Sequence, residues 1–427
     1  MLVREREVVV KYFKIVLVGS LVCALWCAIA FVGGLRGWWL TPVAERGDSG
    51  AFVAAATGMI DRASPGSVAL IIMESGQILA EDYAGREGNE VNRETLFPTA
   101  SFSKWPTAYG VMLLVEAGKI DLDAPATQYL SRWQLPESGF DNDKVSVRQL
   151  LSHTAGLVDG LGFGDYGADE TLPTLEESLS QPRGSDDEQP QIKLGREPGS
   201  EWDYSGGSYL ILQLLVEEVS GMGFAEYMQE AVFEPLGMSR STYAYLGDLG
   251  DNSGSYDRQG DQAPLYQYAA AGATGLSSSA ADLSRFAQAQ IPGSSVTPVL
   301  SRAGVDAMRE PHGSQMAMDI WGLGTMLFAP TPEGDFVFGH DGANDPSINS
   351  SVRINPDNGD AIIALSTGPA YLASRITYEW VLWQTGFPDF IQSNLAIESA
   401  MRPMGIGVAL IALFTLAMLV RQWRRRT

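Results

Sequence analysis

Thr99-Ala100-Ser101-Phe102-Ser103-Lys104-Trp105-Pro106 sets a serine three residues ahead of a lysine, where an extended segment gives way to an apolar helix. On a helix that spacing puts both side chains on one face of the first turn, close enough to touch. A serine hydroxyl is a weak nucleophile at neutral pH and needs a basic or cationic neighbour, while the unpaired N–H groups of a helix start favour the anion that develops. Pro106 suits a first turn, where its missing N–H is no loss. Tyr109, Val111, Met112, Leu113 and Leu114 carry the predicted helix on to Gly118. The chain has six lysines and many serines, so one such pair arises easily by chance and the reading rests on what accompanies it.

Three further stretches follow in order: Val145-Ser146-Val147-Arg148-Gln149-Leu150-Leu151-Ser152-His153-Thr154-Ala155-Gly156-Leu157, then Glu201-Trp202-Asp203-Tyr204-Ser205-Gly206-Gly207, then Phe338-Gly339-His340-Asp341-Gly342-Ala343-Asn344. With the Ser-x-x-Lys, this set resembles the serine β-lactamase and penicillin-binding-protein superfamily, in the branch of class C β-lactamases, D-alanyl-D-alanine peptidases and related esterases. The resemblance runs over residues 50 to 390, and Glu234-Pro235-Leu236-Gly237-Met238 and the segment from Gly275 to Phe286 agree with it.

The resemblance implies an α+β, β-lactamase/transpeptidase-like fold. It makes Ser101 the acylated nucleophile, Lys104 its proton partner and Tyr204 the group that relays a proton to the leaving group. His340-Asp341-Gly342 stands where the family carries Lys-Thr-Gly, and Gly342 there lets a substrate lie against the backbone. The N–H groups of Ser101 and Ala343 become the oxyanion hole. No cofactor or metal is implied. Two departures stand out. Gly206 replaces the asparagine that would bind an acyl-amide group, and His340 replaces a lysine, so a cation that stays charged at neutral pH is missing. Both weaken β-lactam or cell-wall peptide turnover and leave the acyl-transfer core.

The other candidates read as structure. His153 is a helix-end residue ahead of Gly156 and His312 lies in a loop beside Pro311. None of the three histidines stands at ligand spacing from another histidine or a cysteine, which argues against a catalytic zinc. Gly47-Asp48-Ser49-Gly50 resembles the nucleophile loop of trypsin-like proteases, but no histidine precedes it. No Gly-x-Ser-x-Gly elbow or phosphate-binding glycine loop is present.

Residues 15–35 and 404–420 are apolar, and the first is long enough at about 1.5 Å per residue to span a core of about 30 Å. Arg4, Arg6, Lys11 and Lys14 precede the first, and Arg421, Arg424, Arg425 and Arg426 follow the second. The positive-inside rule then puts residues 1–14 and 421–427 in the cytoplasm and the hydrolase body outside the inner membrane. The alternative is a cleaved signal peptide ending near Ala28-Ile29-Ala30. Both cysteines, Cys23 and Cys27, lie in the first apolar segment, so the body holds itself together without disulfides. Net charges of +3 on residues 1–36 and +5 on residues 402–427 leave −30 on the body, out of −22 for the chain. Such a surface disfavours nucleic acid and anionic lipid as partners and leaves a small-molecule or peptide substrate.

Val68 to Met73 and Gln77 to Tyr83 read as a hairpin across Ser75-Gly76, and Phe336 to Phe338, Ser350 to Ile354 and Ala361 to Ser366 as late strands of the same antiparallel sheet. Helices flank it: Tyr371 to Gln384 packs on it, and residues 120 to 300 form a mostly helical second lobe. Gln181 to Pro198 reads as an exposed loop. The expectation is a membrane-anchored extracytoplasmic serine hydrolase, an esterase or small peptide hydrolase first. A β-lactamase or D-alanyl-D-alanine carboxypeptidase is the alternative, and a catalytically silent envelope binding module is the alternative of another class.

Overall fold

The computed structural model describes residues 2–63, 66–159, 164–184, 190–345 and 347–425. The chain divides into two compact units, Gly47–Trp380 and a terminal unit of Met1–Arg46 with Val381–Thr427.

In the larger unit, Ser75 (φ +50°) and Gly76 (φ +73°) are both left-handed, the two-residue turn that matches strand twist. They join β1 (Ser67–Glu74) to β2 (Gln77–Ala84). Every β1 residue but the last is buried, as expected of an unbroken apolar run covered on both faces. The sheet closes across the chain's length. β10 (Asp360–Thr367) pairs antiparallel with β1, Ile71 opposite Ile363, and β9 (Ile348–Asn355), β8 (Phe336–Asn344), β7 (Met326–Pro330), β6 (Met318–Trp321) and β5 (Gly313–Gln315) follow outward. The expected hairpin and late strands are present. The three-residue to five-residue strands β5 to β7 escaped the sequence pattern because they are too short to show a period of two.

A second pair, β3 (Leu96–Pro98) with β4 (Ser277–Ser279), lies outside this sheet and leads into the 3-10 turn Ala100–Ser103 and helix α3 (Lys104–Glu116). The earlier helices are α1 (Leu2–Leu35) and α2 (Ser49–Asp61), the latter capped by Asp48, whose carboxylate accepts from the Ala51 N–H at 2.8 Å. That gives the Gly47-Asp48-Ser49-Gly50 stretch a structural role. Beyond α3 come α4 (Val147–Leu151), α5 (Leu175–Ser180), α6 (Gly206–Ser220), α7 (Phe224–Met228), α8 (Glu234–Leu236), α9 (Ala271–Thr274) and α10 (Ala280–Gln288). The 120–300 lobe thus takes its regular structure from helices, apart from β4, but long irregular segments join them. Then follow α11 (Arg302–Arg309), α12 (Leu372–Thr385) and α13 (Ser393–Arg424).

Trp105 locks α3 to the sheet. It meets Phe286 of α10 and Phe338 of β8 edge-on at 5.0 and 5.9 Å. The segment read as an exposed loop, 181–198, is partly internal: Ile192 and Leu194 are buried, and Leu194 bridges to Leu157. Its residues 185–189 lie outside the described residues, as does Pro346.

β7 pairs with β8 only from Phe336 to Gly339, so β8 has a strand on that edge no further than Gly339. The free edge, His340 to Asn344, runs beside the turn that carries Ser101. A Cβ at Gly342 would come within 2.0 Å of the Thr99 carbonyl and 2.8 Å of the Phe102 nitrogen, so only glycine admits this approach. The opposite face of β8 is pinned by Asp341. Its carboxylate is paired with the buried Arg353 guanidinium of β9 and accepts from Ser351 Oγ (2.7 Å) and Ser374 Oγ (2.9 Å). Asn349 donates to both the Gly342 carbonyl (3.0 Å) and Ser374 Oγ (2.9 Å).

In the terminal unit α1 and α13 pack antiparallel: Gly19 sits against Thr415, Trp26 Nε1 donates to the Pro403 carbonyl at 3.2 Å, and Gly34 lies against Ala396 and Ala400. Both helices run well past the apolar segments expected at 15–35 and 404–420. Val9–Leu35 and Phe390–Arg424 are long and apolar enough to cross a membrane, and their Leu21, Leu25, Leu410 and Phe414 side chains face outward.

Asp341→Ala would remove the carboxylate that faces the buried Arg353 guanidinium. We expect a loss of about 3–5 kcal/mol, most of it recovered in Asp341→Ala/Arg353→Met. Thermal unfolding of the two variants checks this, and equal losses in both would contradict it.

Candidate active site

The turn before α3 is held from three sides. Ser103 Oγ donates to the Ala100 carbonyl (2.7 Å) and accepts from the Leu276 N–H (3.0 Å). Thr99 Oγ1 donates to the Leu276 carbonyl (2.8 Å), and Ser350 Oγ to the Thr99 carbonyl (2.6 Å). These restraints keep Ala100 at φ +48°, a strained setting for a residue with a Cβ, directly before Ser101. Ser101 is half-buried on the 3-10 turn, and Lys104 opens α3, so the two meet as the spacing required.

Lys104 is 3 % exposed. Its Nζ lies 3.4 Å from Ser101 Oγ, donates to the Ala273 carbonyl at 2.9 Å, and stands 5.0 and 5.6 Å from the ring centres of Tyr204 and Tyr209. Tyr204 is thereby brought to the Ser101–Lys104 pair. The chain delivers it through the start of α6, where Ser205 Oγ accepts from the Ser208 N–H at 2.9 Å. The Asp159 carboxylate accepts from the Gly207 N–H. Gly206 is the first residue of α6 and is buried, so it contributes backbone and space.

His153, read from sequence as a helix-end residue, does follow α4, with φ +57°, but it also supports the site. Its ring lies 4.4 Å from the Tyr204 ring at 33°, and its Nδ1 accepts from the Ser205 N–H at 3.1 Å. Trp321 packs edge-on to His153 (4.7 Å), Tyr204 (5.6 Å) and His340 (5.4 Å). Neither His153, Asp159 nor Trp321 was assigned to the site from sequence. The only cue was the position of His153 and Tyr204 within stretches already singled out.

His340 is buried, and its Nδ1 bonds the Asp341 carbonyl at 2.6 Å. Burial, joined by the Lys104 charge, pushes it down to about 3. His153 goes well below the usual imidazole value for the same two reasons, burial first. Both rings are therefore neutral near pH 7, and His340 supplies no cation. Gly342 and Ala343 follow on the free edge of β8, Ala343 exposed. The arrangement suits acyl transfer: a hydroxyl beside an amine and a phenol, at a helix start and a strand edge able to offer backbone N–H groups.

The Beta-lactamase family profile matches residues 53–386. The chain belongs to that family. Among relatives of this Beta-lactamase family member, esterase EstB of Burkholderia gladioli is 32% identical over 199 residues, 42% of this chain and 47% of that one. A penicillin-binding protein of Bacillus subtilis (strain 168) is 30% identical over 40% of this chain and 37% of that one, so the matches span less than half of these two relatives. Penicillin-binding protein 4 of Amycolatopsis lactamdurans is 27% identical over 66% of this chain and 74% of its own. Two solved structures share the fold. The octameric penicillin-binding protein homologue from Pyrococcus abyssi gives a TM-score of 0.62 at 24% identity, covering 77% of this chain and 75% of that one. The β-lactamase/D-alanine carboxypeptidase from Pseudomonas syringae gives 0.61 at 19%, covering 77% and 97%.

The depressed imidazole of His340 has a consequence for stability. Between pH 6.5, where an unfolded histidine titrates, and about 3, the unfolded chain takes a proton that the folded chain refuses, so stability falls as pH falls through that window. Above it the full stability is present. A His340→Gln variant is expected to lose less stability than the parent between pH 7 and 4.5, by about 1 kcal/mol or more. Parallel melting curves for the two proteins would contradict this.

Proposed function

We propose that this protein is a membrane-anchored extracytoplasmic serine hydrolase that forms an acyl-enzyme on Ser101, with esters of small acids as its leading substrates. The observation that carries it is the Lys104 amine, buried under the rings of Tyr204 and Tyr209 and 3.4 Å from Ser101 Oγ. Ser101 Oγ attacks the carbonyl carbon, and its proton passes to the Lys104–Tyr204 pair in the form that carries one proton fewer than an ammonium and a phenol together. The tetrahedral oxygen takes hydrogen bonds from the Ser101 and Ala343 N–H groups. Tyr204 returns the proton to the departing oxygen or nitrogen, and water then repeats the sequence on the acyl-enzyme.

Neutral His340 and side-chain-free Gly206 support esters over β-lactams and cell-wall peptides. The place a carboxylate-holding cation would occupy holds an uncharged, buried ring, and position 206 offers no side-chain amide. A catalytically silent binding module would have no need of a desolvated lysine aimed at a serine, since burying that lysine costs stability and returns nothing to mere binding.

Antiparallel pairing of α1 and α13 supports a retained anchor with both termini on the cytoplasmic side, because α13 uses α1 as its packing partner along its length. The hydrolase body spans residues 50–390 on this reading. Extraction of the full chain from salt-washed membranes is expected to need detergent; release by salt alone would contradict the anchor.

Hydrolysis of p-nitrophenyl butanoate should fall by roughly 10³-fold or more in Ser101→Ala. Unchanged turnover would end the proposal. Tyr204→Phe should slow alkyl esters by about 10²-fold and p-nitrophenyl esters much less, since nitrophenolate leaves without a proton. Equal losses on both would remove Tyr204 from that role.

A further inference from the structure

The end of β8 lines a cavity of about 130 Å³. Ala343, Asn344 and Asp345 form one side, and Ser347, Tyr371 and Arg258 others. Its volume holds roughly four water-sized groups, the bulk of a short carboxyalkyl chain.

Arg258 is the notable member. In a body of net charge −30, most arginines with a nearby acid are paired with it, as Arg132, Arg148, Arg196 and Arg309 are. Arg258 makes no ion pair among the described residues. The acid beside it in sequence is engaged otherwise: Asp257 Oδ1 accepts from the N–H groups of Gln259 and Asp261, both at 2.9 Å. The loop itself is rigidly tied. Ala263 N–H donates to the Ser255 carbonyl at 2.8 Å, Asn89 Nδ2 to Tyr256 OH at 3.0 Å, and Arg86 stacks on Tyr256 at 5.1 Å. Arg258 is thus an exposed charged group on a tied loop.

Tyr371 adds a phenol to the same cavity. It is 54 % exposed with φ +51°, a conformation a tyrosine adopts only when its surroundings impose it. The Asn344 amide is already committed, donating to Asp165 Oδ1 at 3.1 Å and Tyr268 OH at 3.0 Å, so it shapes the wall.

The direction of the cleft assigns this cavity to the acyl half of a substrate. Lys104, Tyr204 and Trp321 cluster at the His340 end of the β8 edge, where the leaving group must take its proton. Ala343 lies three residues on, about 10 Å along an extended strand, and the cavity lies beyond it. Resting on the acyl-enzyme reading of Ser101, the geometry points to a subsite for an anionic acyl chain: Arg258, with Tyr371, receives a carboxylate at the far end of the acyl group. The substrate class is the half-ester or half-amide of a short dicarboxylic acid. The cation missing at His340, on the leaving-group side, is thereby supplied on the opposite side.

The test compares mono-p-nitrophenyl adipate with p-nitrophenyl hexanoate, equal in chain length and differing by the terminal carboxylate, on the detergent-solubilised full chain. We expect kcat/KM for the adipate to exceed that for the hexanoate by about tenfold. The ratio should fall towards one in Arg258→Ala, fall further in Arg258→Glu, rise in Asp345→Asn, and shrink in high salt. A ratio near one in the parent, or one that survives Arg258→Ala, overturns the subsite while hexanoate turnover lost in Ser101→Ala leaves the acyl-enzyme reading standing. Neither ester consumed by the parent, or either still consumed by Ser101→Ala, overturns that reading and the subsite with it.

Discussion

A lysine almost wholly removed from water governs the centre of this molecule. An ammonium in that setting has lost hydration that few contacts replace, and what remains is one carbonyl, that of Ala273, two aromatic faces and the Ser101 hydroxyl. The residues around Lys104 follow from this constraint. Tyr204 and Tyr209 present ring faces because those carry negative potential. His153 and His340 stay unprotonated because a second cation beside the first would add repulsion to the loss of solvent. A site arranged this way holds its reactive groups close while keeping its net charge low.

The second requirement is a strand edge at the right height. Backbone N–H groups stabilise a developing oxyanion only if they do not move, and β8 has no strand beyond Gly339 on its inner side to hold it. The opposite face supplies the rigidity. Asp341, Arg353, Ser351, Ser374 and Asn349 form a hydrogen-bonded set that holds the Asp341 carboxylate and the Gly342 carbonyl. His340 and Gly342 face the turn that carries Ser101 while Asp341 faces α12, which is the period-two alternation of a strand put to two uses.

What the sequence made legible divides along the same line. Ser101 with Lys104, the β1–β2 hairpin, β8 to β10 and α12 were readable because each depends on local spacing, turn chemistry or an apolar period. Their partners were not. His153 looks like a helix end because it is one, and nothing local reveals that its left-handed backbone turns the ring under Tyr204, fifty-one residues later in the chain. Asp341 lies inside the stretch that takes the place of Lys-Thr-Gly, and only the antiparallel register that brings Ser351 opposite it shows it facing away from the cleft. The buried part of the 181–198 segment escaped for a related reason. Its composition is polar and turn-rich, yet Ile192 and Leu194 are drawn inside by a bridge to Leu157 that no window of neighbours contains.

Charge is distributed with the same economy. The body carries a large excess of acids, and a field of that sign repels anionic molecules at long range, less so at physiological salt, where it decays within about 8 Å. An anionic acyl chain must then be recognised at contact distance, by a cation carried on a tied loop. A flexible surface lysine would lose much of that interaction to side-chain entropy, whereas an arginine on a tied loop, with a phenol across the cavity, loses less. Arg258 and Tyr371 meet that condition. The acidic surround in turn disfavours other anions that lack an acyl chain reaching past Ala343, which makes selectivity a property of both the single cation and the field around it.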